Sequence, residues 1–557
     1  MRKIGLPALL ALFCGLQANS QLTIDNATFF IQSGATVTVQ GDITSNVDIQ
    51  GPGTVQLKGS SSQNVNMNGF TIPNLVMDNA AGAVLTGNGR IGTSLTLTTG
   101  KITLGAFNLN LSSTATTSGA STTSFVATSG AGQLKKELAG DVAAFLLPVG
   151  EGTNYRPAFL TTSGSAYASA QFGVRVLGAA DVTNPLSLAS YLKTNWPVTR
   201  TGITGGTVSL SGQYIDPTDI TGTEANLVGY YTSGTDWTSA GETHNAATNL
   251  VGAPVTAASG VVSGMNKFVL VGARAFLQGA YDANTLSPSY GLMAASLRTL
   301  PFGSSAVNTN FPSTDPYRVA PYNTSFTHVN NTNVETIPNS GVIGAQPLTQ
   351  DDIVDWVFLQ LRDLTATPGN VILQTRSALI QRDGDIVDVD GYSPVTFNGI
   401  ANGSYILTVR HRNHLGLSID QTSPRAINEA KSTAYTANVI DLRTSPDAQL
   451  FGTSAAFTTA SHPGLGTVNL LWGGNANGTI GGLTASRFNG LNNDRDFILV
   501  TSLGNNPAAV ISNVYHPADV NLNKVVRFNG LSNDRDVLLL NVLGNNPAAV
   551  RTQAIPN

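Results

Sequence analysis

Leu95–Leu111 reads LTLTTGKITLGAFNLNL: three apolar–polar–apolar triplets, Leu95-Thr96-Leu97, Ile102-Thr103-Leu104 and Leu109-Asn110-Leu111, with Gly100 between the first two. A helix would need apolar residues three and four apart. Spacing of two instead places both apolar members of each triplet on one side of a short strand and the polar member on the other. The same unit recurs upstream as Val37-Thr38-Val39, Val47-Asp48-Ile49, Val55-Gln56-Leu57 and Val65-Asn66-Met67, at intervals of 7 to 11 residues. Gly34, Gly41, Gly53, Gly59, Gly69, Gly82 and Gly100 supply turns between them. Short strands, tight turns and a repeated interior predict a β-solenoid over residues 22–120, with two or three strands per coil. A meandering sandwich is the alternative.

Outward from this stretch the texture changes. Over 121–275 the strands lengthen and Trp196 and Trp237 enter, which predicts a β-sandwich. Residues 276–345 are rich in Pro, Asn, Thr and Ser, including Pro301, Pro312, Pro316, Pro321 and Pro338, and read as an irregular linker packed along its neighbours. A second sandwich, immunoglobulin-like or prealbumin-like, is expected over 346–465. It opens on Val354-Asp355-Trp356-Val357-Phe358-Leu359, apolar on both faces as an inner strand requires. Residues 466–557 hold a duplication: Arg487–Val510 and Arg527–Val550 agree at 18 of 24 positions. The apolar runs after Asp496 and Asp536 are where short helices are expected.

Bulk composition agrees with a mainly β, multidomain chain. Its 557 residues exceed one core and suggest roughly three to five domains. Only 11% of residues are charged, against a usual value of about 25%. A formal charge of -4 provides no basic field, so nucleic acid is not an expected partner. Met1-Arg2-Lys3, the apolar run Leu6–Leu16 and Ala18-Asn19-Ser20 have the three regions of a secretory signal peptide cleaved near Ser20, over residues 1–20. The run is too short for a membrane span. Cys14, the single cysteine, lies in that leader, so the expected mature protein is secreted or at the outer cell surface and has no thiol.

Chemistry is sought first in the tail. Asp519, Asn521 and Asn523 carry side-chain oxygens at every second position, followed by Asp534 and Asp536; the first copy offers Asn475, Asn477 and Thr479 with Asp494 and Asp496. Calcium takes six to eight oxygen ligands, so these are the candidate Ca2+ ligands. Lys524 stands where such loops usually have glycine. Asp383, Asp385, Asp388 and Asp390 form a second acidic group, read as a metal site, as an acid/base pair, or as a hairpin with Val387 and Val389 inward and Asp388 and Asp390 outward. His411 and His414 are expected on opposite faces of a strand end. No G-x-S-x-G, phosphate loop, H-E-x-x-H or dinucleotide fingerprint occurs.

The succession Phe276-Leu277-Gln278-Gly279-Ala280-Tyr281-Asp282, Val354-Asp355-Trp356-Val357, Gln381-Arg382-Asp383-Gly384-Asp385 and Arg410-His411-Arg412-Asn413-His414 resembles the secreted surface proteins of Bacteroidetes-type bacteria, hemagglutinin-like or adhesin-like. The tail, from Leu471-Trp472-Gly473-Gly474-Asn475 through both Asn-Asp-Arg-Asp copies, resembles their dockerin-like calcium repeats. The family usually has Asp and Gly where this chain has Asn475, Thr479, Asn523 and Lys524. The resemblance implies a non-catalytic adhesin or structural protein that binds an extracellular glycan, a cell or a protein. Two alternatives are a polysaccharide-active enzyme with a β-helix catalytic domain and a docking component with a cohesin-like or surface-assembly partner.

Overall fold

The computed structural model describes residues 21–239, 243–303, 309–344, 348–363, 371–436, 438–478 and 485–556. The expected leader with Cys14 lies outside them, as does Thr479. The protein is mainly β, with solenoid-like stacking and few short helices near the C-terminus. It divides into two compact units: Met1–Val182 with Tyr191–Gly234 and Ser239–Met265, and Asn266–Asn557 with Thr183–Ser190 and Thr235–Thr238.

In the first unit the alternating triplets form parallel coils. On one side Leu22 pairs with Ile43, Ile43 with Val65, Gln63 with Ala83, Ala83 with Ile102, Ile102 with Val126 and Val126 with Val149. Each coil therefore takes 19 to 24 residues. On the other side Val37, Val55, Leu75 and Leu95 stack in register, and a short third side pairs Phe29–Phe30 with Ile49–Gln50. The apolar members of the triplets, such as Val55, Leu57, Leu95, Leu97 and Leu111, are fully buried in the interior. Burying each such side chain stabilises the fold by about 1.5–3 kcal/mol.

Corners are closed by small residues and amides. Gly100 has φ +82°, and a Cβ there would stand 1.8 Å from the Asn79 carbonyl oxygen of the preceding coil, so only glycine fits. The buried Asn79 amide donates to Ser61 O (2.8 Å) and Gln63 Oε1 (2.9 Å), and Gln63 Nε2 in turn donates to Val39 O (3.0 Å). These contacts bring side-chain donors to carbonyls at the corners, Val39 O in addition to the N–H of Lys58 (2.9 Å).

The coils continue past the expected boundary at residue 120, to Val149–Glu151. Leu134–Leu138 pairs in parallel with Leu109–Leu111 and, on its other edge, antiparallel with Ala166–Val174. From there Trp196–Thr204 and Ser259–Asn266 extend an antiparallel sheet. A second sheet of Phe145–Leu147, Ala158–Ser163, Thr207–Gln213, Leu250–Pro254 and Thr243–Asn245 accompanies it. One apolar cluster runs from Ile24 to Val262, so the two sheets of residues 121–265 share their core with the solenoid, whereas Val269, Val271, Ala273 and Ala275 belong to the core of the second unit.

The second unit is built on Ile353–Asp363, flanked by Val371–Gln381 and Gly403–His411 in an antiparallel sheet that also includes His414–Ser418, Asp385–Val387, Ala273–Arg274 and Ile440–Asp441. Every residue from Ile353 to Arg362 is buried. Residues 276–303 and 309–344 account for much of that burial. Phe276, Leu297, Phe311, Tyr317, Tyr322, Phe326 and Ile337 join the core. Trp356 Nε1 donates to Pro312 O (2.9 Å) and Tyr317 Oη donates to Trp356 O (2.9 Å). The segment expected as a linker is therefore a cover for the sheet. Its core residues mix aromatic and aliphatic side chains at irregular spacing, so they show no periodicity. A helix at Lys431–Tyr435 was not foreseen.

Duplication in the tail has a structural reason. Ala485–Arg487 of the first copy pairs with Val550–Thr552 at the end of the second, and Val525–Arg527 of the second pairs with Val510–Ser512 at the end of the first. Each copy thus closes the other's ribbon. The expected helices occur at Asp494–Asp496 and Asp534–Asp536, each continuing as a wider helical turn over Phe497–Ser502 or Val537–Val542.

Candidate metal centre

In the second copy the chain curls tightly from Asp519 to Lys524, with Leu522 at φ 56° and Lys524 at φ 64°. Both sit in the left-handed region at a cost of about 1–2 kcal/mol per residue. The turn holds because Asp519, fully buried, accepts N–H bonds from Asn523 (3.0 Å, Oδ1) and Lys524 (2.7 Å, Oδ2). Asp534, also fully buried, accepts from Val520 N (2.9 Å) and Arg527 N (2.9 Å). Asn521 and Asn523 point their amide nitrogens at Ser532 O, at 3.0 and 3.3 Å. Their Oδ1 atoms accept from Asn523 N (3.2 Å) and Val525 N (2.9 Å), and each carbonyl oxygen keeps a second lone pair.

Electrostatics single out this pair of carboxylates. Burial pushes the Asp519 carboxyl up to about 7, against the pull of Arg412 and its two N–H donors. Burial, and then the charge of Asp519, push Asp534 well above the usual carboxylate range. Two buried acids, one of them raised further by the charge of the other, are stabilised as anions by positive charge nearby. A hard cation among Asp519, Asp534, Asn521 and Asn523 would provide it.

The first copy keeps half of this design. Asp494 is fully buried, accepts from Asn477 N (3.0 Å) and Arg487 N (2.8 Å), and is pushed up to about 7 by burial. Asn475 replaces the aspartate that the second copy has at Asp519. Asn475 Oδ1 and Asn477 Oδ1 are buried without a hydrogen-bond partner among the described residues. Asn477 Nδ2 donates to Asn492 O as Asn521 does to Ser532 O. One carboxylate in place of two weakens the attraction for a divalent ion.

Asp496 and Asp536 take another role. Asp536 N donates to Asn533 Oδ1 (2.8 Å) while its carboxylate accepts from Asn533 Nδ2 (2.8 Å) and pairs with Arg535 (2.8 Å). Asn493, Asp496 and Arg495 repeat the arrangement. These are reciprocal helix caps, so the carboxylate that converges with the loop is the first of each Asn-Asp-Arg-Asp run. Spacing alone does not distinguish Asp534 from Asp536.

The other candidates resolve into ionic anchors. Asp388, expected outward, is fully buried and meets Arg376 Nη2 at 3.1 Å; Asp385 pairs with Arg274 at 2.5 Å. His411 and His414 do not face apart. The two-residue turn Arg412-Asn413 folds the strand back, and their Nδ1 atoms lie 3.0 Å apart. His414 Nε2 accepts from Gly279 N (2.9 Å) and His411 Nε2 meets Asp355 Oδ2 (3.0 Å). Both rings are therefore neutral, with His414 Nδ1–H donating to His411 Nδ1 and His411 Nε2–H to Asp355. Burial lowers both, His414 well below the ordinary value. Tyr515 Oη (2.6 Å) and Arg412 Nε (2.9 Å) complete the shell of Asp355.

Sequence reasoning missed one cluster. Asp315, His328 and Glu335 bring ligand atoms within 4.8 Å of one another. Arg318 lies 3.1 Å from Asp315 and Arg376 lies 2.9 Å from Glu335, so the guanidinium groups already compensate the charge. No signal in sequence links residues so far apart in type and position. Asn413 joins this core to both tail loops, since its carbonyl accepts from Asn475 N (3.1 Å) and its Nδ2 donates to Asp519 O (2.7 Å). Compared with known proteins, the chain matches no protein family, no curated sequence and no solved structure.

Proposed function

We propose that this chain is an exported, non-catalytic adhesin or surface-structure protein that binds glycans, cells or partner proteins outside the cell and holds calcium in its tail loops. One observation carries the reading: the outward side of the solenoid is a ladder of polar side chains bonded along the stack. Thr38 Oγ1 donates to Gln56 Oε1 (3.3 Å), Gln56 Nε2 to Asp78 Oδ2 (3.0 Å) and Ser94 Oγ to Asn74 Oδ1 (2.8 Å). Such a flat, hydroxyl- and amide-rich surface suits a polysaccharide or a neighbouring chain. Each acidic side chain from Asp25 to Glu137 is engaged by a neighbour: Asp25 by Asn46, Asp42 by Asn64, Asp48 by Thr71 N, Asp78 by Lys58 and Glu137 by Arg90. That weighs against an acid/base pair poised on the coils. Binding of the mature chain to live cells or purified polysaccharides in a pull-down tests the reading; uniform failure overturns it. Release of reducing ends or unsaturated sugars from a polysaccharide panel would replace it with the enzyme alternative.

A docking role is favoured by a separate observation. Leu491 and Leu531, equivalent in the two copies, are 81% and 86% exposed. Paired apolar residues on a pseudo-symmetric module suit a protein partner. Replacing both with Asp abolishes capture of a surface-assembly partner if the tail docks, and leaves glycan binding unchanged.

A further inference from the structure

The two ends of the coil stack differ. At the far end the strands are covered: Asn154–Tyr155 folds back on Val149–Glu151, and Ala166–Val174 pairs antiparallel with Leu134–Leu138. At the near end the first coil stops at open edges on all three sides. Leu22–Ile24, Phe29–Phe30 and Thr36–Val39 each pair with the second coil on one edge and, among the described residues, with no strand on the other. Leu22 N donates to Asp42 O (2.8 Å) and Ile24 O accepts from Asn46 N (3.2 Å). Backbone groups alternate in direction along a strand, so the N–H and C=O of Thr23 turn to the open edge. Ala35 O and Val39 O likewise accept from Thr54 N and Lys58 N, both at 2.9 Å, which leaves Thr36 and Thr38 facing the open edge.

Side chains show the same deficit. Leu22, Phe29 and Val37 are half-buried, whereas their register partners in the second coil, Ile43, Ile49 and Val55, are fully buried. Phe30 is 58% exposed. An apolar ring short of one coil, rimmed by unpaired backbone groups, is a template for further β-pairing. Natural proteins blunt such edges with Lys or Pro. Residues 21–41 contain neither, and their one charge, Asp25, already accepts from the amides of Asn26 (3.1 Å) and Asn46 (2.6 Å). A single foreign strand would close one side and leave two. The same coil of a second copy closes all three, because a twofold axis across the stack sets each open edge against an antiparallel one, the isologous arrangement commonest in homodimers. Two such ends bring one charge each, so no like-charge cluster opposes the contact. The coil of 21 residues, counted from Leu22 to its register partner Ile43, reaches the about 20–30 residues a side of a standard interface. We propose that two copies of the mature chain, expected to start near Gln21, join through their first coils into one continuous β stack. The inference is independent of the glycan-binding reading, which concerns the outward sides of the coils.

Sedimentation velocity of the full mature chain over about 0.1 to 50 μM tests it. The expected result is a monomer–dimer equilibrium with Kd of about 10 μM or tighter, with hydrogen-exchange protection over residues 22–41 that rises with protein concentration. Thr23→Pro together with Thr36→Pro removes two donors from the open edges without touching a backbone bond to the second coil. Phe30→Lys, at an exposed side chain, adds a cation to each half of the contact. Each variant weakens dimerisation at least tenfold and keeps the parent's circular dichroism spectrum. Leu491→Asp together with Leu531→Asp, in the tail, leaves dimerisation unchanged. A monomer at every concentration, a dimer that neither end variant weakens, a dimer lost in the tail variant, or an open-ended series of larger species overturns the proposal.

Discussion

The solenoid coils and the C-terminal unit bury their residues by opposite strategies. In the coils the same apolar positions recur every 19 to 24 residues, and the stack from Ile43 to Val126 consists of near-equivalent rungs. Their acidic residues face outward and bond to polar neighbours. Buried charge enters only at their end, where Lys136 donates to the carbonyls of Ser112 (2.6 Å), Ser113 (2.9 Å) and Ala115 (2.9 Å), and burial brings it down to about 8. The C-terminal unit is organised around buried charge. Arg376 bridges Glu335 and Asp388, and Asp355 gathers Arg412, His411 and Tyr515. Repetition spreads stability over many small terms, whereas an irregular cover such as residues 276–345 needs a few specific anchors to fix its path.

The most severe test of this contrast is Asp355→Ala. It leaves Arg412 and His411, both fully buried, facing a methyl group, and removing one member of a buried ion pair costs about 3–5 kcal/mol. The denaturant midpoint should fall accordingly, with tryptophan fluorescence as the probe. In the coils the worst single change is a cavity. Leu95→Ala, at a fully buried rung, is expected to cost about 3 kcal/mol, at or below the lower end for the charge deletion although both truncations remove the same number of heavy atoms.

These anchors explain what the sequence does and does not disclose. Val55, Leu57, Leu95 and Leu97 announce themselves because neighbours two residues apart share one interior. Asp355 and Arg412, or Arg376 and Glu335, lie tens of residues apart and carry no period. Asp388 looked exposed by alternation with Val387 and Val389; it is inside because Arg376 on the adjacent strand meets it. His411 and His414 looked opposed because a turn of two residues was not recognised between them. In the tail the loop residues were visible, yet Asp534 and Asp536 are separated only by which one caps the helix.

Acid should expose the same anchors. His411 and His414 are held neutral by burial beside Asp355 and Arg412, so their folded values lie below the unfolded value of about 6.5. A depressed histidine means that the unfolded chain binds more protons at low pH. Stability is therefore full above about pH 6.5 and falls as pH drops, by about 1.4 kcal/mol per pH unit for each histidine. The raised carboxyls of Asp494 and Asp519 act in the opposite sense, since the folded state takes up their protons as pH falls through about 7. The histidine contribution is therefore read between pH 7 and 5.5, by hydrogen exchange, from lost amide protection of the strand peptides around His411 and His414, while coil peptides such as Leu95–Leu111 hold theirs. His411→Gln together with His414→Gln should flatten the trend.

Calcium should act on the C-terminal unit alone, and more gently. A cation relieving Asp519 and Asp534 stabilises the folded state by RT ln(1 + [L]/Kd), about 1.4 kcal/mol at a tenfold excess. The melting transition of the tail should rise by a few degrees in calcium over chelator. Asp519→Asn with Asp534→Asn should remove that response, and Asp536→Asn should keep it. Retention of the response in the double variant would exclude this loop as the source.

The smallest effect belongs to the outer ladder. Asp78 pairs with Lys58 at 3.2 Å, and the Lys58 side chain is 57% exposed. Water and salt screen such a pair, whose net worth is about 0–1 kcal/mol. Gln56 is bonded to both Thr38 and Asp78, but each partner can turn to solvent when it is removed. Asp78→Ala and Gln56→Ala should each shift the denaturation midpoint of the first unit by less than about 0.5–1 kcal/mol, and the shift at Asp78 should vanish in 1 M salt. If the ladder instead cooperates along the stack, the double variant will exceed the sum of the singles by more than about 0.5 kcal/mol. Loss of Asp78 would then approach loss of Asp355, and the division between a core-stabilised solenoid and a charge-anchored C-terminal unit would fail. Agreement with the small values means that this face is free to vary without loss of fold, as the proposed binding surface requires.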